Sequence, residues 1–395
     1  MKIKLGVIFG GPTVEHEVSV ISAVQAMESI DSEKYDIIPI YISKDRTWYS
    51  GKMLMDIDIY KDFENLKRYA KKVNLINKDG GFYLQSMTGL KRIVSEIDIV
   101  FPIVHGCGME DGSLQGYLET VGVPYVGSGV AASALGQDKV FMKQIMTSTG
   151  FPVVPYTWFF DNEYLNNKDE IVKMIKKLGF PVVVKPALQG SSVGISYVKE
   201  ENDLDKAIIE AIKYDQKIVV EKAVSNLIEV NASVIGNMEY QEVSCLEEVG
   251  TDEDFLTYND KYVGNGKGSK SKGMASASRI IPARIDEKLT KEIKDMSKEL
   301  FKSFNFGGVC RIDYLIDKKE NKVYVNEPNT IPGSLSFYLW KPVGKEYSKL
   351  LDELITTAIK NYKEKSKKIH SFDTNILSNF NGVKGSKGLK GLKGR

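Results

Sequence analysis

The chain has 395 residues, 42% hydrophobic and 27% charged, with a formal net charge of +2. That length exceeds one ordinary domain and supplies apolar material for more than one core. Cys107, Cys245 and Cys310 are widely spaced with no CxxC pair, and His16, His105 and His370 are the only histidines, which argues against a disulfide framework, a zinc ribbon and a multi-histidine metal centre.

At the start, MKIKLGVIFGG has an apolar run too short for a signal peptide, and no stretch reaches the ~18 apolar residues of a membrane span. A cytoplasmic protein is expected. The segments IKLGVIFG, YDIIPIYIS and IDIVFPIVHG read as β-branched strands, with helices VSVISAVQAMESI and SLQGYLETVG between and after them. This alternation predicts a parallel, Rossmann-like α/β domain over residues 1–125. Ligands of such sheets sit at the carboxyl ends of the strands, where GGPTVEHE and HGCGMEDG fall.

One helix is expected over SALGQDKVFMKQIMTSTG. The second unit, 126–215, then offers strand PVVPYTWFF, a polar helix near 161–178, strand PVVVKPA, the loop LQGSSVG and a helix near 201–214. The third, 216–368, is richer in antiparallel signals: KIVVEKAV, EVNASVIG, EYQEVSCLEEV, SRIIPARI and the pair GVCRIDYLID and KVYVNEPN, with helices near 286–304 and 345–366. The long irregular stretch 252–278 has the length of a functional lid or a disordered loop. The fold class is thus α/β plus α+β, in several domains. Residues 369–395 form a basic Gly/Lys tail, expected to be disordered, and removing its five terminal-region cations from the net +2 leaves −3. No nucleic-acid partner and no membrane span are expected.

Several positions offer chemistry. Arg311 and Asp313 alternate with apolar residues and so share a strand face, and pairing with 323–327 brings Glu327 beside Asp313. Two carboxylates with the Asn329 amide suit Mg²⁺ held together with phosphates, and Arg311 suits an oxyanion or phosphate. A strand-end salt bridge is the equally ordinary alternative. Gly190, Ser191, Ser192 and Gly194 offer backbone N–H groups and hydroxyls to phosphate oxygens, with Lys185 as a point charge, although a plain turn has the same composition. Lys139 is a second phosphate candidate or a surface lysine. Glu221 and Glu229 offer acceptors that suit a base amine and ribose hydroxyls. His105 follows a strand and precedes a glycine, as a substrate contact or a structural histidine would. Glu15 sits at the first strand-to-helix turn, where it also complements a helix dipole.

Taken in order, GGPTVEHEVSVISA, HGCGMEDGSLQG, VVVKPALQGSSVGI, NDKY, GVCRIDYLID and NEPNTIPG resemble the D-alanine–D-alanine ligases of the ATP-grasp superfamily, over about residues 3–365. The resemblance implies an ATP-grasp fold after the N-terminal domain, and ligation of two D-alanines through an acyl phosphate for peptidoglycan precursors. It implies ATP as substrate, two Mg²⁺ ions (Mn²⁺ as the alternative) on Asp313, Glu327 and Asn329, and a homodimer. Lys139, Lys185, Ser191, Ser192 and Lys261 would contact the nucleotide's phosphate end. Glu221, Lys222, Val224 and Glu229 would line its base and ribose. Glu15 and His105 would hold the first D-alanine, Tyr262 would link Ser191 to Glu15, and Arg311 with the Gly333 N–H would stabilise the oxyanion.

Departures from the family pattern are Met109 for a glycine, Ala223 for an aromatic residue, and Tyr338 where a serine usually holds the second substrate's carboxylate. Ser334 and Ser336 stand nearby as substitutes for that serine. A ligase with D-serine or D-lactate as acceptor, and a nucleotide-binding protein without turnover, are the competing readings.

Overall fold

The computed structural model describes residues 2–249 and 279–369. Lys261, Tyr262, the rest of the 252–278 stretch and the tail from His370 onward lie outside them.

The first sheet contains β1 (Ile3–Gly10), β2 (Tyr35–Ile42), β3 (Trp48–Ser50), β4 (Lys71–Lys78), β5 (Gly81–Ser86), β6 (Ile93–Ile97) and β7 (Ile99–Val104), in the order β6-β5-β4-β3-β2-β1-β7. β1 runs parallel to both β2 and β7, as the apolar runs predict. All six residues of β7 are buried, the pattern of a strand covered on both faces. The remaining four strands extend the sheet in antiparallel fashion. β4 alternates exposed and buried positions, so it reads as polar sequence and escapes an apolar-run search.

The helix His16–Ser29 buries Val20, Ala23, Val24 and Met27 against this sheet. Its Ser19 ties two strand ends together, accepting from the Gly10 N–H at 2.8 Å and donating to the Ile103 carbonyl at 2.7 Å. Glu15 and His105 are thereby fixed at neighbouring strand ends.

The expected single helix over 133–150 is two helices, Val130–Gln137 and Lys139–Ser148. Asp138 breaks them by adopting extended backbone and accepting from the Val140 and Phe141 N–H groups, an N-cap inside what reads as a continuous pattern. The break places Lys139 at a helix start, turned inward and 6% exposed.

The second sheet holds β8 (Tyr156–Phe160), β9 (Val182–Pro186), β10 (Ser196–Val198) and β11 (Lys217–Lys222), all antiparallel, in the order β10-β9-β11-β8. The third holds β12 (Leu227–Gly236), β13 (Gln241–Val243), β14 (Glu247–Val249), β15 (Arg279–Ile280), β16 (Gly308–Asp317) and β17 (Lys322–Asn329). Its path is β15-β14-β12-β16-β17, with β13 also on β12. The amphipathic helix Glu287–Ser303 covers its apolar face through Leu289, Ile293, Leu300 and Phe301. No helix among the described residues is long and apolar enough to cross a membrane.

Candidate active site

The polar face of the third sheet is the floor of the site. Glu327 on β17 pairs with Asp313 on β16, Asp313 with Asn231 on β12, and Asn231 with Glu247 on β14. Cross-strand partners point to one face, so four strands present one polar row. Arg311 lies two residues before Asp313 and binds it in a fork, Nε to Oδ1 at 2.6 Å and Nη2 to Oδ2 at 2.7 Å. Asn329 Nδ2 donates to the same Oδ2 at 3.2 Å. The strand-end salt bridge and the clustered oxygen donors therefore coexist. Burial opposes the Arg311 charge, but Asp313 outweighs it and holds the guanidinium firmly protonated.

The loop after β9 closes over this floor. The Ser191 hydroxyl donates to Glu15 Oε1, joining that loop to the N-terminal sheet. Gly190 has no room for a side chain there, because a Cβ would lie 2.6 Å from Glu15 Oε2. Lys139 Nζ donates to the Gln189 carbonyl at 2.7 Å and sits 3.2 Å from Glu327 Oε2. Lys185 Nζ donates to Glu221 Oε2 at 2.8 Å, and Lys143 Nζ lies 3.0 Å from the other oxygen. Burial works against the Lys185 charge, yet Glu221 and Glu327 outweigh it and raise its pKa.

Three adjoining cavities run along this cleft. One is lined by Lys185, Glu221, Lys222, Ala223, Val224 and Glu229. It shares Lys185 and Glu229 with a second that adds Lys139, Ser191, Ser192 and Glu327. The third, about 110 Å³, shares Lys139, Ser191 and Glu327 and adds Glu15, His105, Arg311, Asp313, Asn329, Gly333 and Tyr338. Apolar surface beside Val224 and Leu315 lies at one end, lysines lie in the middle, and a carboxylate, guanidinium and imidazole group lies at the other.

His105 Nε2 contacts Ser22 Oγ at 3.2 Å, and the same hydroxyl accepts from the Ser334 N–H at 2.9 Å, so the run after Gly333 is pinned to the N-terminal helix. Complete burial lowers the His105 pKa to about 4, so the imidazole is neutral at physiological pH. Burial, reinforced by Asp111, raises the Cys107 thiol to about 11, which leaves it protonated and unreactive.

Sequence models of the families described as "D-ala D-ala ligase N-terminus" and "D-ala D-ala ligase C-terminus" match residues 4–128 and 145–356. The chain belongs to the D-alanine–D-alanine ligase family. It is 40% identical over 377 residues to the D-alanine–D-alanine ligase of Thermosipho melanesiensis, covering 95% of this chain and 98% of that protein. The ligase of Caldicellulosiruptor bescii is also 40% identical, over 93% of this chain and 98% of its own length. Among solved structures, the D-alanine–D-alanine ligase of Coxiella burnetii superposes with a TM-score of 0.78 at 28% identity, covering 96% and 98% of the two chains. The D-Ala:D-Ser ligase VanG of Enterococcus faecalis superposes with a TM-score of 0.75 at 30% identity, covering 91% and 100%. The fold is accordingly the ATP-grasp fold of these ligases behind an N-terminal α/β domain.

Against this family background, Met109 is accommodated by Gly11, where a Cβ would come within 2.6 Å of the Met109 side chain. Ser334 and Ser336 do not line the cavity. The Ser334 hydroxyl donates to Gln25 Oε1 at 2.7 Å, and Ser336 is wholly buried. Ser334, Leu335 and Ser336 all have φ near +50°, a tight left-handed run that swings the chain so that Tyr338 faces the cavity instead.

Sequence reasoning passes over three groups here. Lys143 is an unremarkable helix residue until its burial beside Glu221 is seen. Glu110, within the HGCGMEDG motif, accepts from the Ile331 N–H at 2.9 Å and the Gly106 N–H at 3.2 Å. Burial, with Glu15 nearby, raises its carboxyl to about 8. Glu247 and Arg279 flank the long loop, where no motif marks them.

Proposed function

We propose that this protein joins two D-alanine molecules into D-alanyl-D-alanine at the expense of ATP, supplying a cell-wall peptide precursor in the cytoplasm. The observation that carries the reading is the convergence, around one cleft, of buried Lys139 and Lys185, the Ser191–Glu15 closure, and the Arg311–Asp313–Glu327–Asn329 cluster. Residues 1–125 serve as the substrate-binding α/β domain, 126–215 as the central ATP-grasp subdomain, and 216–368 as the C-terminal ATP-grasp domain with the catalytic floor and metal ligands.

ATP fits with its base against Lys222, Ala223 and Val224 and its ribose by Glu229. Its phosphates lie on Lys139, Lys185, Ser191 and Ser192. The first D-alanine places its ammonium on Glu15 and its carboxylate toward His105 and Arg311. A neutral His105 suits that place, since it sets a polar edge there without adding a charge.

Among the described residues no three His, Cys, Asp or Glu side chains form a metal cluster. Two carboxylates and one amide oxygen, all hard donors facing the cleft, nonetheless fit Mg²⁺, which takes one or two protein carboxylates and completes its shell with phosphate oxygens and water. When bound by Asp313, Glu327 and Asn329, Mg²⁺ supplies charge neutralisation for phosphoryl transfer.

The D-alanine carboxylate is a poor electrophile. Its oxygen attacks the γ-phosphorus, ADP leaves, and an acyl phosphate results. Lys139 and Lys185 stabilise the transferring group by position and charge. The amine of the second D-alanine then attacks the acyl carbon, the new C–N bond forms, and the C–O bond to phosphate breaks. Arg311 and the Gly333 N–H hold the intermediate oxyanion. The Ser191–Glu15 contact keeps the loop closed, so that water does not compete for the acyl phosphate.

Incubation with ATP, Mg²⁺ and D-alanine is expected to release phosphate and dipeptide in equal amounts. Absence of D-alanine-dependent phosphate release overturns the reading.

A further inference from the structure

The family's usual serine for the second substrate's carboxylate is absent, and neither nearby serine reaches the cavity. Tyr338 stands in that place. Its hydroxyl donates to Glu247 Oε2 at 3.3 Å, and its ring lies under the Arg279 guanidinium, 4.1 Å from the ring centroid. Arg279 Nη1 is 3.3 Å from Glu247 Oε1, and Asn231 Nδ2 donates to Glu247 Oε2 at 3.1 Å. Both Arg279 and Tyr338 line the cavity that contains Arg311 and Gly333.

The register explains the arrangement. The polar row Glu327–Asp313–Asn231–Glu247 crosses the sheet, and Arg279 on β15 pairs with Val249, two residues beyond Glu247 on the same face. One end of the floor therefore carries carboxylates for cations, and the other end carries a second guanidinium. Glu247 and the aromatic face orient that guanidinium at the cavity wall. A guanidinium fork matches a carboxylate in geometry as well as charge.

Resting on the ligase reading of this site, we propose that Arg279, oriented by Tyr338 and Glu247, binds the α-carboxylate of the acceptor amino acid in place of the family's serine. Arg279 is then a specificity residue for the second half-reaction. It selects acceptors that carry a carboxylate beside the attacking amine. Tyr338 fills the serine's place and acts as a platform.

Hydroxylamine separates the two half-reactions, because it captures the acyl phosphate as D-alanyl hydroxamate and has no carboxylate to be recognised. The ratio of D-alanyl-D-alanine to hydroxamate is measured in the parent, Arg279→Gln and Arg279→Lys, with D-alaninamide as a competing acceptor. In Arg279→Gln the ratio is expected to fall about tenfold to a hundredfold, the effect of losing a charge-assisted hydrogen bond. The preference for D-alanine over D-alaninamide narrows in parallel, and Arg279→Lys recovers part of both. An unchanged ratio and preference in Arg279→Gln overturn the assignment. So does an equal loss of hydroxamate and dipeptide, which would place Arg279 in folding or in the donor half-reaction. A parent that forms no hydroxamate overturns the ligase reading itself, a result distinct from either.

Discussion

Glu221→Gln probes the interior of the nucleotide cleft most sharply. Glu221 is 2% exposed and lies between Lys143 and Lys185, at 3.0 and 2.8 Å. Burial opposes its charge, but the two ammonium groups win and hold its carboxyl at about 2 instead of 4.5. At 1.36 kcal/mol per tenfold change in proton affinity, that gap corresponds to about 3 kcal/mol of native-state stabilisation. Breaking a buried ion pair by neutralising one partner costs about 3–5 kcal/mol, so two routes agree.

The sign follows from linkage. A carboxyl with a depressed native pKa stabilises fully above its unfolded value of 4.5 and loses that contribution as pH falls through about 2. Urea unfolding followed by circular dichroism should place Glu221→Gln about 3 kcal/mol below the parent at pH 7, narrowing to about 2 kcal/mol at pH 3.5. Adding Lys143→Met should recover part of the loss, because it removes one stranded ammonium. A deficit under about 1 kcal/mol at pH 7, or no recovery in the double variant, refutes the reasoning.

Gly190→Ala places a methyl group 2.6 Å from Glu15 Oε2, so the loop must retreat. The expected result is a fall in dipeptide per ATP hydrolysed, as water reaches the acyl phosphate; coupling equal to the parent's speaks against the closure. Glu110 has a carboxyl raised to about 8, so the native state holds its proton more tightly than the unfolded chain. Its burden on stability grows as pH rises from about 4.5 through about 8, and Glu110→Gln should flatten that slope by up to about 4 kcal/mol, measured by urea unfolding at pH 5 and pH 9. Parallel profiles for parent and variant exclude the effect. Glu327→Gln should weaken Mn²⁺ binding in the presence of ADP about tenfold or more, read by electron paramagnetic resonance; unchanged binding removes Glu327 from the ligand set.

Much of the floor was legible because strand alternation is a strict geometric rule. Arg311 and Asp313 had to share a face, and the pairing that follows the short turn near Asn321 sets Glu327 opposite Asp313. The carboxyl ends of β1 and β7 likewise announced Glu15 and His105. What stayed hidden depends on long-range burial. Lys143 looks like any helix lysine, and only the fold brings Glu221 to it from 78 positions away. The break at Asp138 was masked because the helical pattern continues on both sides of it. Three consecutive left-handed residues, Ser334 to Ser336, decide that Tyr338 and not a serine meets the cavity. None of the three is a glycine, so the composition gave no warning. Among the antiparallel strands, β4 escaped because its exposed positions carry lysines and asparagine, and β3 because its three residues, Trp48–Ser50, are too few to form an apolar run.

The passage of one carboxylate oxygen into phosphate tests the central claim most directly. With D-alanine labelled with ¹⁸O in its carboxylate, each phosphate released during dipeptide synthesis should carry one ¹⁸O, which mass spectrometry reads as a two-mass-unit shift. Phosphate free of label, released at the same rate as dipeptide, would contradict the acyl phosphate and the roles assigned to Arg311, Lys139 and Lys185 around it.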